Sequence, residues 1–369
     1  AVKEQEQFTE NADAYIAAGG PIISQEEMNY RKTYQIKAQF KESVKNLLLP
    51  SFYIDTPQIL SGIFASSESS TKKLEKEDLL SGFGDATRKF KLAAQNADIN
   101  FQEAESSLAK VDIEETVADD YRPAFHHLNL KEASEFLQYI NNQPVETQNR
   151  LLTEQVCKEL KRLNTPPFQD VKKYVSHLVE NLNPEDLAFV KQHTEVAAIK
   201  IKRKIEILKE AHMEKNFYHF AELSKIKAKF DFRFPDPLPL TKIAQGIPAK
   251  SLYEQEGEMG QSELRMISLI AALDNVVWWH RNPSPQGFGL NAFTGHYPDF
   301  IVSLRSGSVV LVELKGEQLA NEDSKRKIKL GAKWKEMAGP QFQYFMAFEH
   351  TAMEGAKQIG ELVGILGQL

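Results

Sequence analysis

The sequence predicts an α/β domain over residues 261–369, in which a central mixed sheet is flanked by helices. The first observation is the amphipathic stretch GQSELRMISLIAALDN (260–275), whose apolar residues recur at helical spacing. The second is a series of short apolar runs, beginning with VVWWHR (276–281), that have the length and composition of strands. Strands that alternate with helices in this way indicate a sheet covered by helices.

The next two strands are predicted to form a hairpin. DFIVSL (299–304) and SVVLVELK (308–315) are separated by three residues. The third of these, Gly307, suits the left-handed conformation that such a turn requires. Leu304 would then pair with Ser308 across the turn, which fixes the register of the two strands.

The predicted domain is completed by a helix, a strand and a last helix. DSKRKIKLGAKWKEMAG (323–339) has the pattern of a helix that ends at Gly339. QYFMAFE (343–349) is predicted to be the next strand. AMEGAKQIGELVGIL (352–366) contains a weaker helical pattern.

The N-terminal part of the chain is predicted to hold two segments. Residues 1–25 form a flexible lead-in, because AAGGP interrupts any helix there. Residues 26–125 form a small α+β module. The strands predicted within it are YQIKAQF (34–40), LLLPSFYI (47–54) and ESSLAKVDIEE (105–115).

Two further segments lead to the C-terminal domain. Residues 126–230 are predicted to be a helical linker or docking region. Asn129 suits the N-cap of its first helix, and the stretch 183–223 carries apolar residues three and four positions apart. Residues 231–260 begin with the proline-rich FRFPDPLPL (232–240) and are predicted to be an extended linker.

The composition is that of an ordinary globular protein, with 42% hydrophobic and 26% charged residues in 369. A single cysteine, Cys157, excludes an internal disulfide and favours a reducing compartment. No apolar run approaches the ~18 residues needed to cross a bilayer. The polar, acidic first residues do not have the pattern of a signal peptide. We therefore expect a cytoplasmic protein with no membrane partner.

The net charge of −6 argues against a surface that binds nucleic acid throughout, but two segments are locally basic. Lys200–Lys229 holds nine basic and four acidic residues, and Lys315–Lys335 holds seven and three. A solvated helix face is the simpler interpretation of the first segment.

Three charges lie inside the apolar strands of the predicted hairpin. Side chains alternate across a strand, so Glu313 and Lys315 share one face. Counting outward from the turn puts Asp299 opposite Glu313, with Cβ atoms ~5 Å apart. Two carboxylates at that distance repel each other unless a positive charge lies between them.

A divalent cation beside a phosphodiester would explain this arrangement. Mg²⁺ prefers carboxylate, carbonyl and water oxygens, and a nearby lysine can orient water and stabilise the transition state. The alternative is a structural salt bridge from Lys315 to either acid. Glu263 is a third candidate acid, since it shares the inward face of its helix with Ile267 and Ile270. Its own alternative is a first-turn glutamate that the helix dipole favours.

The sequence around these charges resembles the PD-(D/E)XK nuclease motif, in HYPDF (296–300) and VVLVELKG (309–316). The neighbouring stretches SLYEQEGEMGQSELRMI, NVVWWHRN, DSKRKIKLGAKWKEMAG and FQYFMAFE resemble the C-terminal nuclease region of the restriction (Res) subunit of type III restriction enzymes. The resemblance is good from about Ile247 to Glu349 and fainter for the helices at 130–228.

The resemblance implies cleavage of double-stranded DNA with Mg²⁺, or Mn²⁺ as a substitute. It implies metal binding by Asp299, Glu313, Glu263 and the main-chain carbonyl of Leu314, with Lys315 as the catalytic lysine. The residues that match a further motif of the family are Trp278, Trp279, His280, Arg281 and Asn282, and those that match the following helix are Lys329 and Trp334. We expect His280, Arg281 and Lys329 to contact DNA phosphate, and the tryptophans to pack in the core.

The sequence departs from such Res subunits in one large respect. It contains neither the G-x-x-x-x-G-K-[ST] loop nor the acidic box of an ATP-driven motor. ATP would then act only through a motor region outside this sequence or on another chain, and a methyltransferase (Mod) subunit would supply sequence recognition. The sequence leaves two alternatives open. One is an interaction module that docks these subunits and is silent as a nuclease outside the complex. The other is a helicase-associated nuclease of prokaryotic repair or phage defence.

Overall fold

The computed structural model of the chain describes residues 32–55, 71–101, 138–162 and 168–369. The strands are β1 (Lys32–Tyr34), β2 (Leu49–Asp55), β3 (Thr71–Lys73), β4 (Ile226–Phe232), β5 (Leu238–Leu240), β6 (Val276–Arg281), β7 (Leu290–Asn291), β8 (Gly295–His296), β9 (Phe300–Leu304), β10 (Val309–Lys315), β11 (Phe342–Phe348) and β12 (Lys357–Gln358). The α-helices are α1 (Lys41–Val44), α2 (Lys76–Ser81), α3 (Val145–Arg162), α4 (Phe168–Glu180), α5 (Pro184–Gln192), α6 (Thr194–Glu222), α7 (Gln261–Ala271), α8 (Glu322–Ala338) and α9 (Ile359–Gln368).

The chain divides into two compact units. The first contains the described residues of Ala1–Leu79 together with Asn216–Leu369, and the second is Leu80–Lys215. The sequence predicted boundaries elsewhere, at 125/126 and 230/231. The former lies outside the described residues, and the latter falls inside β4, which pairs with β2 along most of its length.

The second unit is helical and has an apolar core of its own. Its buried side chains come mainly from α3, α4 and the first part of α6, and they include Leu152, Tyr174, Val175 and Ile201. Cys157 lies in this core, where burial raises the pKa of its thiol to about 11. Such a thiol stays protonated and packs as a small apolar side chain.

The stretch 183–223 forms two helices rather than one. Asn183 caps α5, its side chain accepting a hydrogen bond from the main-chain N–H of Asp186. The first helix ends where His193 leaves helical geometry, and α6 begins at Thr194. The apolar spacing continued across the break and therefore did not reveal it.

A mixed five-stranded sheet forms the centre of the C-terminal region, as the sequence predicted. Its strand order is β12-β11-β10-β9-β6. The β6–β9 and β9–β10 pairs are antiparallel, whereas β10–β11 and β11–β12 are parallel. The parallel β10–β11 pair requires a crossover, which α8 provides.

The hairpin has the predicted turn and register. Gly307 has a φ of +84°, in the left-handed region, and Leu304 N–H donates to the Ser308 carbonyl at 2.9 Å. From there Val309 pairs with Ser303 and Val312 with Phe300.

One face of this sheet packs against α7 and α9. Met266, Ile267 and Ile270 of α7 contact a buried cluster that includes Val310 and Val312 of β10. Because side chains alternate along a strand, this pattern leaves Glu313 on the opposite face.

Helix α8 covers that opposite face near Tyr344 of β11. A Cβ atom at Gly331 would come 2.1 Å from the Tyr344 ring, so the helix approaches the sheet closely only because residue 331 is glycine. Trp334, fully buried in the same helix, donates its indole N–H to the Pro50 carbonyl at 2.8 Å.

The N-terminal residues contribute smaller sheets to the first unit. LLLPSFYI was predicted to be a strand, and β2 confirms it as the centre of the sheet β3-β2-β4. YQIKAQF was also predicted to be a strand, and this was wrong. Only its first residue belongs to β1, and residues 38–40 form a 3₁₀ turn. Of its buried side chains, Ile36 precedes this turn and Phe40 lies in it, so the alternation in the sequence does not describe a continuous strand.

The predicted strand at 105–115, the Asn129 N-cap and the lead-in at 1–25 lie outside the described residues. The predicted extended linker at 231–260 contains the end of β4 and all of β5, and Leu252 and Tyr253 within it are buried. This segment is therefore packed against the domain and does not run freely to it.

Candidate active site

The predicted charged residues lie where β9 and β10 separate. The antiparallel ladder ends at Val312 and Phe300, so the next opposed positions are Glu313 and Asp299. Lys315 closes β10 two residues further on. The register thus puts two acids and a lysine at one edge, as the alternation in the sequence predicted.

Asp299 is held at both carboxylate oxygens. Its Oδ2 accepts the main-chain N–H of Leu314 at 2.8 Å, and its Oδ1 accepts from Arg281 at 3.1 Å. Burial first, and the charge of Glu313 second, raise the pKa of the Asp299 carboxyl to about 7. The charge of Glu313 therefore acts on Asp299, its opposed position in the hairpin.

Leu314 presents its main chain to the same place. Within a strand the N–H and C=O of one residue point to the same neighbour. Since the Leu314 N–H reaches Asp299, the Leu314 carbonyl faces the same side of β10.

Glu313 is the least satisfied of the buried acids in the described sheet. It is 3% exposed, and its Oε1 lies 3.1 Å from Lys315 Nζ. Its Oε2 is buried and has no hydrogen-bond partner. An unpaired buried carboxylate oxygen carries the desolvation penalty that a partner would normally offset.

Glu263 serves as a helix cap and also faces the interior. Its Oε2 accepts the Gly260 N–H at 2.6 Å at the start of α7, and its Oε1 lies 2.8 Å from Arg281 Nη2. Burial is the main cause that raises the pKa of Glu263, and the charge of Asp299 adds to it, while Arg281 lowers it. A role of Glu263 in the first turn of its helix is therefore compatible with a position near the other acids.

Arg281 connects two of the three acids. Its guanidinium donates to Glu263, to the Asp299 side chain and, at 2.9 Å, to the Asp299 main-chain carbonyl. The group lies over the Phe300 ring, 5.3 Å from its centroid. We call Glu263, Asp299 and Glu313 the carboxylate cluster. The sequence led us to expect that Arg281 contacts phosphate, but its Nη atoms contact the cluster instead.

His280 is buried, which corrects the expectation that it contacts DNA. It is 2% exposed, and its Nδ1 lies 2.8 Å from Glu256 Oε2. The same Glu256 oxygen accepts the Arg281 main-chain N–H at 3.0 Å. His280 and Glu256 thus fix the strand that carries Arg281. The sequence did not single out Glu256, because it lies in a segment without periodic pattern.

Asn282 shapes the chain in front of Asp299. Its side-chain amide donates to the carbonyls of Phe288 and Pro298, both at 2.8 Å, and its Oδ1 accepts the Phe288 N–H. These bonds fold residues 283–288 back onto the strand end and hold the residue that precedes Asp299.

The remaining predicted residues lie in the core or on the surface. Trp278 and Trp279 are fully buried, as expected, and donate their indole N–H groups to Ser43 and to the Ala249 carbonyl. Lys329 is exposed on α8 and is accessible to a phosphate.

A second buried polar pair lies behind the cluster. His296 Nε2 and the Tyr344 hydroxyl are 2.8 Å apart. Burial lowers the pKa of His296 to about 3, with the charges of Lys327 and Lys315 adding to the effect. Burial and the charge of Glu313 raise the pKa of Tyr344. Both groups are neutral at physiological pH.

The strand edge offers the type of donor atom that a hard cation prefers. Asp299, Glu313 and the Leu314 carbonyl supply only oxygen donors, and Glu313 Oε2 lacks a partner that such a cation would provide. In the described parts of the chain, no three His, Cys, Asp or Glu side chains are arranged to hold a metal as they stand. In the carboxylate cluster, the guanidinium of Arg281 is the positive group that contacts Glu263 and Asp299.

A scan against protein-family profiles found no match, and neither did searches of curated proteins and of solved structures. None of the helices in the described ranges combines the length and the hydropathy needed to cross a membrane.

Proposed function

We propose that the chain is a Mg²⁺-dependent DNA endonuclease of the PD-(D/E)XK type, the nuclease-bearing C-terminal region of a type III restriction (Res) subunit. One observation carries the proposal. Glu313 keeps a buried oxygen without a partner and lies opposite a second acid, Asp299, whose pKa is raised first by desolvation and second by the charge of Glu313. Such a pair costs stability unless a ligand uses it.

Each residue of the strand edge has a separate task in this proposal. Asp299, Glu313 and the Leu314 carbonyl are the oxygen donors for the cation. When bound, Mg²⁺ would lower the pKa of a water and neutralise charge on the phosphodiester. Lys315, 3.1 Å from Glu313, brings a positive charge to the point where negative charge develops on phosphorus. The bonds from Leu314 and Arg281 fix the Asp299 carboxylate before the reaction begins.

The test is to incubate the full chain with supercoiled and linear plasmid in Mg²⁺, Mn²⁺ or EDTA. We expect cleavage in either metal, none in EDTA, and none by Asp299→Ala. The matched control is Asp274→Ala, an exposed aspartate at the turn before β6. Equal cleavage by wild type and Asp299→Ala would contradict the assignment.

A second candidate function is docking of a motor or methyltransferase subunit. The observation that favours it is the compact helical unit Leu80–Lys215, which exposes Tyr139, Val145 and Ile207. Exposed apolar side chains mark a protein interface where they form one continuous patch. Pull-down of the full chain against the products of neighbouring genes tests it, and an Ile207→Asp variant that retains every partner would count against it. An adjacent methyltransferase gene favours restriction over repair or another form of phage defence.

A further inference from the structure

Arg281 occupies the position between two acids of the carboxylate cluster. Its Nη2 lies 2.8 Å from Glu263 Oε1, and its Nη1 lies 3.1 Å from Asp299 Oδ1. Guanidinium and carboxylate attract each other strongly in a partly desolvated site. The guanidinium therefore supplies here the positive charge that a cation would otherwise supply.

The main chain holds Arg281 in place independently of these acids. Its strand residue pairs with Phe300, and its main-chain N–H donates to the fully buried Glu256. Its Nη1 also donates to the Asp299 carbonyl at 2.9 Å. The side chain can thus give up the Asp299 carboxylate and keep the carbonyl contact.

The present pairing leaves polar atoms unused. Arg281 Nε is buried without a hydrogen-bond partner, and so is Glu313 Oε2. The ion pairs of Arg281 and Glu313 therefore leave one donor atom and one acceptor atom unsatisfied. Buried polar groups normally find partners, and exceptions point to a missing ligand or to stored strain.

We propose that Arg281 is a built-in counter-ion of the carboxylate cluster, which holds Glu263 and Asp299 in the absence of metal and sets the metal concentration at which the centre loads. This inference rests on the proposed function, since it assumes that the cluster binds a divalent cation. A divalent cation near Asp299 is repelled by the guanidinium and must compete with it for the same oxygens. Removing the guanidinium charge should therefore raise metal affinity.

The test is Mn²⁺ binding by the full chain, measured from the loss of the free-ion electron paramagnetic resonance signal at pH 8. Arg281→Met removes the charge and retains an unbranched side chain, and Arg281→Lys retains one charge without the two-pronged contact. We expect Arg281→Met to bind Mn²⁺ at least tenfold more tightly than wild type, which corresponds to about 1.4 kcal/mol. Arg281→Lys should fall between them.

The matched control is Arg265→Met. Arg265 lies on the same helix as Glu263 but pairs with Glu349, outside the cluster, so its loss should leave Mn²⁺ affinity unchanged. Thermal melts of each variant check the fold, and Arg281→Lys keeps the test valid if Arg281→Met does not fold.

The outcomes separate the counter-ion role from the proposed function. If both Arg281 variants bind Mn²⁺ as tightly as wild type, or less tightly, the counter-ion role is wrong. Mn²⁺ binding by wild type would still support the metal centre. If the Arg281 variants bind Mn²⁺ and wild type does not, Arg281 blocks the metal centre completely, which supports the counter-ion role. No binding by any protein at millimolar Mn²⁺ would overturn the metal centre and the counter-ion role together.

Discussion

Two buried glutamates, Glu256 and Glu313, are satisfied to very different degrees. Glu256 is fully buried and accepts the Tyr253 N–H, the His280 ring and the Arg281 N–H with its two oxygens. Glu313 is 3% exposed, contacts Lys315 with one oxygen and leaves the other without a partner. Both lie in the first unit of the chain.

Under the proposed function, Glu256 supports the fold and Glu313 binds a ligand. A buried carboxylate with several donors stabilises the segments that carry those donors. A buried carboxylate with an unused oxygen costs stability, and proteins tolerate such costs mainly at functional sites. Substitution of Glu256 should therefore cost much more stability than substitution of Glu313.

The largest expected effect belongs to the lysine beside Glu313. Lys315→Met should reduce DNA cleavage by ~10²–10³-fold, the range found when one charge-stabilising group is removed from an active site. Metal binding should persist, because the acids remain. Plasmid cleavage together with Mn²⁺ titration measures both, and a variant that still cuts at the wild-type rate would remove Lys315 from the proposed chemistry.

The next prediction concerns the stability lost when Glu256 is replaced. Glu256→Ala leaves three buried donors unpaired, and each unpaired donor costs ~1–3 kcal/mol. We expect a loss of roughly 3 kcal/mol or more in the free energy of unfolding by urea. Glu313→Gln should cost less, because it weakens only the contact with Lys315 and retains the size of the side chain. Equal losses would mean that both glutamates serve the fold.

The last prediction is a pH dependence of stability at Asp299. Its pKa in the folded chain, about 7, lies above the ordinary 3.8, so the folded state binds the proton more tightly than the unfolded state does. The sign follows: without metal, Asp299 lowers stability as pH rises from about 4 to about 7. Asp299→Asn should remove this loss. Thermal melts in EDTA should show the melting temperature of Asp299→Asn rising relative to that of wild type from about pH 4 to about pH 7. A difference that stays constant over this range would contradict the raised pKa of Asp299.

The hairpin was predictable from the sequence because local rules determine it. Gly307 fixed the turn, alternation fixed the faces, and together they placed Asp299 opposite Glu313. The same rules predicted α7, β6 and α8, whose patterns are strong and whose ends carry clear signals.

The partners of the cluster were not predictable in the same way. VVWWHR is buried on both faces over most of its length, so alternation could not tell that His280 points inward and Arg281 toward the acids. Glu256 comes from a segment held by isolated bridges, where no period marks the buried side. The pairing of each basic side chain with a particular acid depends on packing between distant segments, which sequence patterns do not encode directly.

The most direct test of the central claim is Mg²⁺ binding measured by calorimetry for wild type and Glu313→Gln. The substitution removes the carboxylate charge but retains the size of the side chain. If the strand edge is a metal centre, wild type binds Mg²⁺ and the variant loses at least tenfold in affinity, about 1.4 kcal/mol. Equal affinity in the two proteins, or no binding by wild type, would show that Glu313 is only one half of a structural ion pair with Lys315.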